Sequence, residues 1–214
     1  MPVGGVIFDL DGTLLNTLED LADAGNATLE HFGYPAHPVE SYKHFVGDGV
    51  AMLVKRALPP DAGEDFDTVL ERMRLEYSRH LDKKTAPYPG IPELLDGIAA
   101  RGVALCVFSN KPQKFCAANM AQFFGKWKWA AIVGETPDIP RKPDPTGAAL
   151  ISRTLGIAPG DFLFVGDTPM DMCCALGAGM TPVGVTWGFR ERSTLEEAGG
   201  KVFIDHPLEL LGLL

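Results

Sequence analysis

The stretch VIFDLDGTLLNT, residues 6–17, places two carboxylates, Asp9 and Asp11, directly behind a run of apolar side chains. A short apolar run that ends in turn-forming residues predicts a buried strand of a parallel sheet. Side chains repeat every two residues along an extended chain, so the two carboxylates lie on the same side if the strand stays extended. Two like charges so close together are costly without a cation, and a hard divalent ion such as Mg²⁺ meets that need.

Five further apolar runs of similar length predict more buried strands. They lie at residues 103–108, 130–133, 162–165, 182–185 and 201–204. Helix-length segments alternate with them, at residues 92–100, 113–124, 145–155 and 170–178. This alternation predicts an α/β fold with a doubly wound, Rossmann-like parallel sheet, in which ligands gather at the carboxyl ends of the strands.

Residues 16–85 break this alternation, because their apolar residues recur at helical spacing and no strand-like run is present. We predict that this segment is a small all-helical domain, inserted after residue 15. Residues 1–15 and 86–214 then form the α/β core. The breaker-rich stretch TAPYPG, residues 85–90, is typical of a hinge or linker at the return to the core.

The composition is that of an ordinary globular enzyme, with 46% hydrophobic and 22% charged residues among 214. Lys and Arg number 19 and Asp and Glu number 28, which gives a formal net charge of -9. No basic cluster stands out, so we expect no nucleic-acid partner. An acidic chain also repels a phosphorylated ligand, and any anion site therefore needs a metal ion or a well-placed lysine.

The cysteines are typical of a reducing compartment. Cys106, Cys116, Cys173 and Cys174 form no CxxC pair, and no secretory segment precedes them. No apolar run reaches the roughly 18 residues that indicate a membrane-spanning helix. We therefore expect reduced thiols, a cytoplasmic location and no membrane association, in a protein that is a monomer or a homodimer.

Polar residues flank several predicted strands and helices and supply the remaining groups of a candidate site. They are Ser109 and Asn110, the loop Arg141-Lys142-Pro143, and the segment 166–171 with Asp167 and Asp171. Each has a simpler alternative, since a lone Asp can cap a turn, a lone Lys is usually solvated, and Asp171 can be a helix-dipole partner. A calcium-binding EF-hand loop is excluded, because Gly12 follows Asp9 too closely for the glycine of such a loop.

In chain order, the motifs DLDGT (9–13), SN (109–110), RKPDP (141–145) and GDTPMD (166–171) resemble the four motifs of the haloacid dehalogenase-like hydrolase superfamily. The predicted helical insert, residues 16–85, follows the first motif and is similar in position to the family's small cap, which implies that residues 1–15 and 86–214 are the catalytic core. Two further stretches, GVTWGFR (184–190) and FVGDGVAML (45–53), look like the phosphoglycolate phosphatase branch. The resemblance extends over both ends of the chain.

The resemblance implies a catalytic set of Asp9, Asp11, Ser109 and Lys142. Asp9 is expected to be the nucleophile that forms an aspartyl-phosphate, and Asp11 to be the general acid and base. Ser109 and Lys142 are expected to contact the phosphoryl oxygens. The acid at Asp11 favours phosphoryl transfer over dehalogenation, because a halide leaving group needs no proton.

The resemblance also implies a Mg²⁺ cofactor and a substrate pocket. Asp9, Asp11 and Asp167 are the expected metal ligands, and Asp171 is expected to orient Lys142 or a metal-bound water. The expected substrate-binding residues are Gly12, Thr13, Asn110, Gly47 and Asp48. The first two are expected to bring backbone N–H groups to the phosphate, while the last two belong to the cap.

These expectations describe a Mg²⁺-dependent phosphatase of a small phosphorylated metabolite, with 2-phosphoglycolate as the leading candidate. A sugar-phosphate phosphatase, a pyrophosphatase or a phosphomutase on the same scaffold is an alternative. A phosphonatase would need a cap lysine for a Schiff base, and the sequence places neither Lys43 nor Lys55 in that role. A non-catalytic binding module is disfavoured, because no motif position has been lost.

Overall fold

The computed structural model describes residues 3–214, so Met1 and Pro2 of the predicted core lie outside the described residues. Its strands are β1 (Gly5–Phe8), β2 (Leu15–Asn16), β3 (Ala86–Pro87), β4 (Ala104–Pro112), β5 (Trp129–Glu135), β6 (Phe162–Gly166), β7 (Thr181–Val185) and β8 (Val202–Ile204). Its α-helices are α1 (Leu18–His31), α2 (Tyr42–Phe45), α3 (Val50–Ala57), α4 (Phe66–His80), α5 (Ile91–Ala100), α6 (Gln113–Phe124), α7 (Thr146–Leu155), α8 (Pro169–Gly177) and α9 (Arg192–Glu197). Within residues 3–214, no helix is both long and apolar enough to cross a membrane.

The main sheet has six parallel strands in the order β5-β4-β1-β6-β7-β8. The central strand β1 carries Val6, Ile7 and Phe8, which are fully buried. Val6 and Phe8 belong to one apolar cluster with residues of α5 and α6, while Ile7 belongs to another with residues of α7 and α8. Because helices cover both faces of the sheet, its strands are continuously apolar, and the predicted doubly wound α/β fold is confirmed.

Strand β4 continues to Pro112, well beyond the predicted end at residue 108. Its last part contains the buried polar residues Ser109, Asn110 and Lys111, whose composition does not signal a strand. Its pairing with β5 also shifts register between Phe108 and Pro112, an irregularity typical of strand ends near functional sites. The extension places Lys111 at the carboxyl edge of the sheet.

The helices α1–α4, which we call the helical cap, lie between β2 and β3 in the chain. These two short strands pair antiparallel, so the chain leaves the sheet region and returns to it along one ribbon. The helices share an apolar cluster that includes Tyr42, Leu53 and Met73. The predicted boundaries at residues 15–16 and 85–86 fall on the ribbon, and the division into two domains stays a prediction.

Buried Asp20 joins the first turn of α1 to the segment that returns from the helical cap. Its carboxylate accepts hydrogen bonds from the Thr85 N–H at 2.9 Å, the Thr85 hydroxyl at 2.7 Å and the Lys84 N–H at 3.0 Å. A buried carboxylate needs such donors. These contacts therefore fix the beginning and the end of the helical cap to each other.

A matched pair of leucines tests the packing of the core. We expect Leu95→Ala in α5, where the side chain is fully buried, to lower the free energy of unfolding by about 2–5 kcal/mol, because it leaves a cavity. The same change at Leu75 in α4, a side chain that is 45% exposed, should alter it by less than about 0.5 kcal/mol. Urea denaturation measures both, and equal losses would contradict the assignment of Leu95 to the core.

Candidate active site

The candidate active site lies at the carboxyl edge of the parallel sheet, where polar residues from three strands meet. Asp9 directly follows β1, Ser109 lies near the end of β4, and Asp167 directly follows β6. Since β1 lies between β4 and β6, these residues come from neighbouring strands. All three are buried, so the polar contacts that each one makes determine the local structure.

Three buried carboxylates, Asp9, Asp167 and Asp171, form what we call the acidic cluster. One carboxylate oxygen from each residue lies within 4.8 Å of the others. Burial raises the pKa of Asp9 to about 6 against the opposing charge of Lys142, and burial with the neighbouring carboxylates raises the pKa of Asp167 to about 8. Such a concentration of negative charge suits a cation, and carboxylate oxygens are the ligands that Mg²⁺ takes in proteins.

Lys142 supplies the positive charge inside the acidic cluster. Its Nζ lies 2.8 Å from Asp9 Oδ1 and 2.7 Å from Asp171 Oδ1. Burial alone would lower the pKa of Lys142, but the carboxylates of Asp171 and Asp9 outweigh it and raise the pKa above its usual range. The lysine is therefore a fixed positive charge next to the Asp9 carboxylate.

Asn110 holds the backbone of Lys142 in place. Its Oδ1 accepts a hydrogen bond from the Lys142 N–H at 2.8 Å, and its Nδ2 donates to the Lys142 carbonyl at 3.1 Å. The same Nδ2 donates to the Gly47 carbonyl of the helical cap at 3.1 Å. The Asn110 amide thus contacts backbone groups of both the core and the helical cap and positions Lys142, while its contact with substrate stays a prediction.

Asp171 has two structural roles at the start of α8. Its Oδ2 accepts hydrogen bonds from the Thr168 N–H at 3.0 Å and the Thr168 hydroxyl at 2.7 Å, as part of a capping box. Its Oδ1 accepts from Lys142 Nζ. One carboxylate therefore caps the helix and also orients the lysine.

Asp167 is enclosed by the turn after β1 and by the segment after β7. It accepts hydrogen bonds from the Thr13 hydroxyl at 3.0 Å and from the Phe189 N–H at 2.8 Å. Gly12 has a φ of +86°, and a Cβ there would lie 2.3 Å from Asp167 Oδ2, so this turn requires glycine. Sequence reasoning missed Phe189, because only the fold brings its N–H next to Asp167.

The N–H groups of Gly12 and Thr13 close their own turn. They donate to the Leu15 carbonyl at 2.8 Å and to the Leu10 carbonyl at 3.3 Å. The turn that leads into β2 therefore uses both donors, and their contact with a phosphate stays a prediction. The two residues shape the site through Asp167.

Asp11 points to Lys111 and not into the acidic cluster. Its Oδ1 lies 2.7 Å from Lys111 Nζ, and its carboxylate is not one of the three that converge. The buried lysine holds that carboxylate away from the acidic cluster, and metal ligation by Asp11 stays a prediction. Sequence reasoning missed Lys111, although its position directly after Ser109 and Asn110 is a signal that can identify it.

Side chains from the core also hold the loop between α2 and α3. Arg190 donates to the Val46 carbonyl at 2.7 Å and to the carbonyl of Lys43. Arg141 donates to the Asp48 carbonyl at 3.2 Å. These contacts, with the one from Asn110, keep the helical cap over the edge of the sheet.

Only one of the two predicted cap residues reaches the cleft. Gly47 belongs to its lining. The carboxylate of Asp48 pairs instead with Arg56 of α3, and Asp48 is not part of the lining. The structure therefore brings Gly47 to the site but not Asp48.

The cleft between the helical cap and the edge of the sheet has a volume of about 50 Å³. Its polar lining includes Asp9, Asp11, Ser109 and Lys111 from the core and Arg74 and Tyr77 from α4. The Ser109 hydroxyl accepts from the Lys111 N–H at 3.3 Å, which leaves its own proton free to donate. Pockets for drug-sized ligands measure roughly 300–1,000 Å³, so this cleft suits a small molecule.

Comparison with known proteins gives a family and several relatives. The family model described as haloacid dehalogenase-like hydrolase matches residues 6–185. The chain is 33% identical over 217 residues to a phosphoglycolate phosphatase of Chromobacterium violaceum, with 99% of this chain and 96% of that protein covered. It is 31% identical over 213 residues to Phosphoglycolate phosphatase 1 of Pseudomonas aeruginosa, with 96% and 78% covered. The crystal structure of a predicted phosphoglycolate phosphatase from Haemophilus somnus is similar with a TM-score of 0.89 at 27% identity, covering 98% of this chain and 97% of that chain.

The chain has the α/β fold and the four motifs of a hydrolase whose acidic residues lie at the carboxyl ends of the strands, and these matches agree with that class. The chain belongs to the haloacid dehalogenase-like hydrolase family, in the branch similar to phosphoglycolate phosphatases. The predicted enzyme class, a phosphoric monoester hydrolase, is confirmed by the same matches.

The acidic cluster predicts how stability depends on pH when no divalent cation is bound. The raised pKa values of Asp9 and Asp167, about 6 and about 8, mean that the folded state keeps protons that the unfolded chain releases. We therefore expect these two groups to lower the free energy of unfolding as the pH rises from about 4 to about 8. Urea denaturation in EDTA across this range measures the slope.

Asp167→Asn is the matched variant for this experiment, because it removes one charge from the cluster and keeps a similar shape. Its stability should fall less with pH than that of the wild-type protein. An equal or steeper fall in the variant would show that the cluster does not cause the dependence.

Proposed function

We propose that this protein is a Mg²⁺-dependent phosphatase that hydrolyses a small phosphomonoester through an aspartyl-phosphate, with 2-phosphoglycolate as the leading candidate substrate. One observation carries the proposal. A buried carboxylate at the central strand end, Asp9, is paired with a buried lysine and lies within 4.8 Å of two further carboxylates. This arrangement provides a nucleophile, a cation site and a fixed positive charge for a phosphoryl group at one place.

The donor set fits a divalent metal ion. The acidic cluster offers oxygen atoms only. Burial, with the neighbouring carboxylates as a further cause, raises the pKa values of Asp9 and Asp167, and a bound cation offsets both effects. We propose Asp9 and Asp167 as direct ligands, while Asp171 stays with Lys142 and Thr168. When bound, Mg²⁺ supplies positive charge that offsets both the carboxylates and the phosphoryl oxygens.

The proposed first step is transfer of the phosphoryl group to Asp9. A carboxylate oxygen of Asp9 attacks phosphorus, and the bond from phosphorus to the leaving oxygen breaks. Asp11, which lines the cleft beside Asp9, starts this step in its protonated form and gives that proton to the leaving oxygen. Lys142 and the Ser109 hydroxyl stabilise the negative charge on the phosphoryl oxygens.

The proposed second step returns Asp9 to its carboxylate form. Asp11 takes a proton from a water molecule, the water oxygen attacks phosphorus, and the bond between phosphorus and Asp9 breaks. Inorganic phosphate then leaves. The helical cap supports this step, because it limits the access of bulk water to the intermediate.

Two observations support a small substrate such as 2-phosphoglycolate. The cleft measures about 50 Å³, and the relatives described above are named phosphoglycolate phosphatases. A panel of 2-phosphoglycolate, pyrophosphate and hexose phosphates, compared by kcat/KM, separates this substrate from the alternatives on the same scaffold.

Asp9→Asn tests the nucleophile. We expect release of inorganic phosphate from p-nitrophenyl phosphate to fall roughly 10³-fold or more, because an amide does not replace a nucleophilic carboxylate. The control is Asp138→Asn, which changes an exposed aspartate outside the site and should keep wild-type turnover. EDTA should abolish wild-type activity and Mg²⁺ should restore it. Wild-type turnover by a folded Asp9→Asn protein would refute the mechanism.

Asp11→Asn tests the proton donor through the leaving group. The loss of kcat/KM should be far greater for 2-phosphoglycolate, whose alkoxide leaving group needs a proton, than for p-nitrophenyl phosphate, whose leaving group is stable as an anion. If both substrates lose the same factor, Asp11 is not the general acid.

A further inference from the structure

We propose that Arg74, Tyr77 and Lys111 form a second anion-binding site in the cleft, which binds the carboxylate of a phosphorylated carboxylic acid. The inference deepens the proposed function and rests on it, since it assumes that the phosphoryl group lies at Asp9. The three residues lie outside the four motifs, and we propose that they select the class of substrate.

The hydroxyl of Tyr77 is the first observation. Tyr77 is 4% exposed and lines the cleft. Its oxygen lies near the ammonium group of Lys111, but its hydroxyl proton has no acceptor among residues 3–214. Burial raises the pKa of Tyr77 to about 12, so the group keeps its proton and is a donor. A buried hydroxyl proton without an acceptor costs free energy, and few native polar groups are left in that condition. An acceptor on a bound ligand removes this cost.

The ring of Tyr77 is held independently of its hydroxyl. It packs edge-to-face against Phe115, with 5.0 Å between ring centroids. Lys111 Nζ lies 4.9 Å from the centroid of the Tyr77 ring, in the range of a cation–π contact. The hydroxyl therefore has a fixed place in the cleft that does not depend on a hydrogen bond.

Lys111 places a positive charge beside that hydroxyl. It is buried and donates to Asp11 Oδ1 at 2.7 Å. An ammonium group has three N–H donors, so the bond to Asp11 leaves donors for an incoming anion. In a chain with a formal net charge of -9, a buried lysine in the cleft lining is the local positive charge that an anionic ligand requires.

Arg74 contributes the third group from the helical cap. It precedes Tyr77 by one turn of α4, so both side chains lie on the same face of that helix, and both line the cleft. Within residues 3–214, Arg74 forms no ion pair, whereas Arg72 and Arg79 of the same helix both pair with Glu76. Its guanidinium group is therefore available to a ligand, and its planar shape matches a carboxylate.

The size of the cleft favours a carboxylate over a second phosphate. The small volume of the cleft, about 50 Å³, favours the smaller of the two anions. A carboxylate is also planar and accepts several hydrogen bonds, so it can take donors from the guanidinium, the phenol and the ammonium together. The substrate class that fits is a short phosphorylated carboxylic acid.

A pair of phosphonates that cannot be hydrolysed tests the site by binding alone. 3-Phosphonopropionate carries a phosphonate and a carboxylate, while propylphosphonate has a methyl group in place of the carboxylate. We expect isothermal titration calorimetry with Mg²⁺ present to show that the wild-type protein binds the first at least about tenfold more tightly, the size expected for hydrogen bonds to a charged group. A wild-type protein without this preference overturns the proposal.

Tyr77→Phe and Arg74→Gln should each remove most of the preference and change propylphosphonate binding by less than about twofold. The controls are Tyr42→Phe, which removes a hydroxyl that donates to Asn26, and Arg79→Gln, which changes an arginine outside the cleft lining. Both controls should keep the preference. Retention of the preference by Tyr77→Phe and Arg74→Gln, or an equal loss of both ligands, would overturn the proposal.

Thermal unfolding adds a readout that separates binding from structure. Because the proton of the buried Tyr77 hydroxyl has no acceptor among residues 3–214, Tyr77→Phe should change the unfolding temperature little, while its binding of 3-phosphonopropionate weakens. A lower unfolding temperature with unchanged ligand preference would make Tyr77 a purely structural residue.

The experiments distinguish a wrong proposal for the second anion site from a wrong proposal for the function. A protein that hydrolyses p-nitrophenyl phosphate without preferring 3-phosphonopropionate is a phosphatase that lacks the site. A protein that shows the preference but releases no phosphate from any ester has the site without the proposed catalysis.

Discussion

Buried Lys142, held between two buried carboxylates, is the interaction on which the candidate site depends. Its Nζ contacts Asp9 at 2.8 Å and Asp171 at 2.7 Å. Removing one partner of such a buried ionic set leaves the others uncompensated, which typically costs about 3–5 kcal/mol. Asp167 has no ion-pair partner among residues 3–214, so three carboxyl groups of the acidic cluster face the single ammonium group of Lys142. This excess of carboxylates over ammonium groups destabilises the folded protein when no cation is bound. It also makes this edge of the sheet suited to bind a cation.

The rest of the core holds this charged group in place. The order of the strands puts β1 at the centre, so the residues after β1, β4 and β6 converge. Asn110 fixes the backbone of Lys142, and the capping box of α8 fixes Asp171. The helical cap then encloses the cleft and brings in groups from α4. The core therefore supplies the residues of the proposed chemistry and Lys111 of the proposed second anion site, while the helical cap supplies Arg74 and Tyr77 of that site.

The sheet and the motif residues could be predicted from the sequence because their signals are local. Apolar runs mark strands that are buried on both faces, and a carboxylate directly after such a run is conspicuous. Contacts between distant elements leave no such pattern. Asp11 turns toward Lys111, and Phe189 reaches Asp167, only after the strands have assembled. That the Tyr77 hydroxyl proton has no acceptor among residues 3–214 is likewise a property of the packed cleft and not of the helix that carries it.

The central proposal is that Asp9 carries the phosphoryl group during turnover. Rapid acid quenching of the Mg²⁺-loaded enzyme with substrate, followed by peptide mapping with mass spectrometry, tests it most directly. We expect the peptide that contains Asp9 to gain the mass of one phosphoryl group, with no gain in Asp9→Asn or without substrate. A phosphoryl group found during turnover on another residue, such as Ser109, would contradict the proposed role of Asp9.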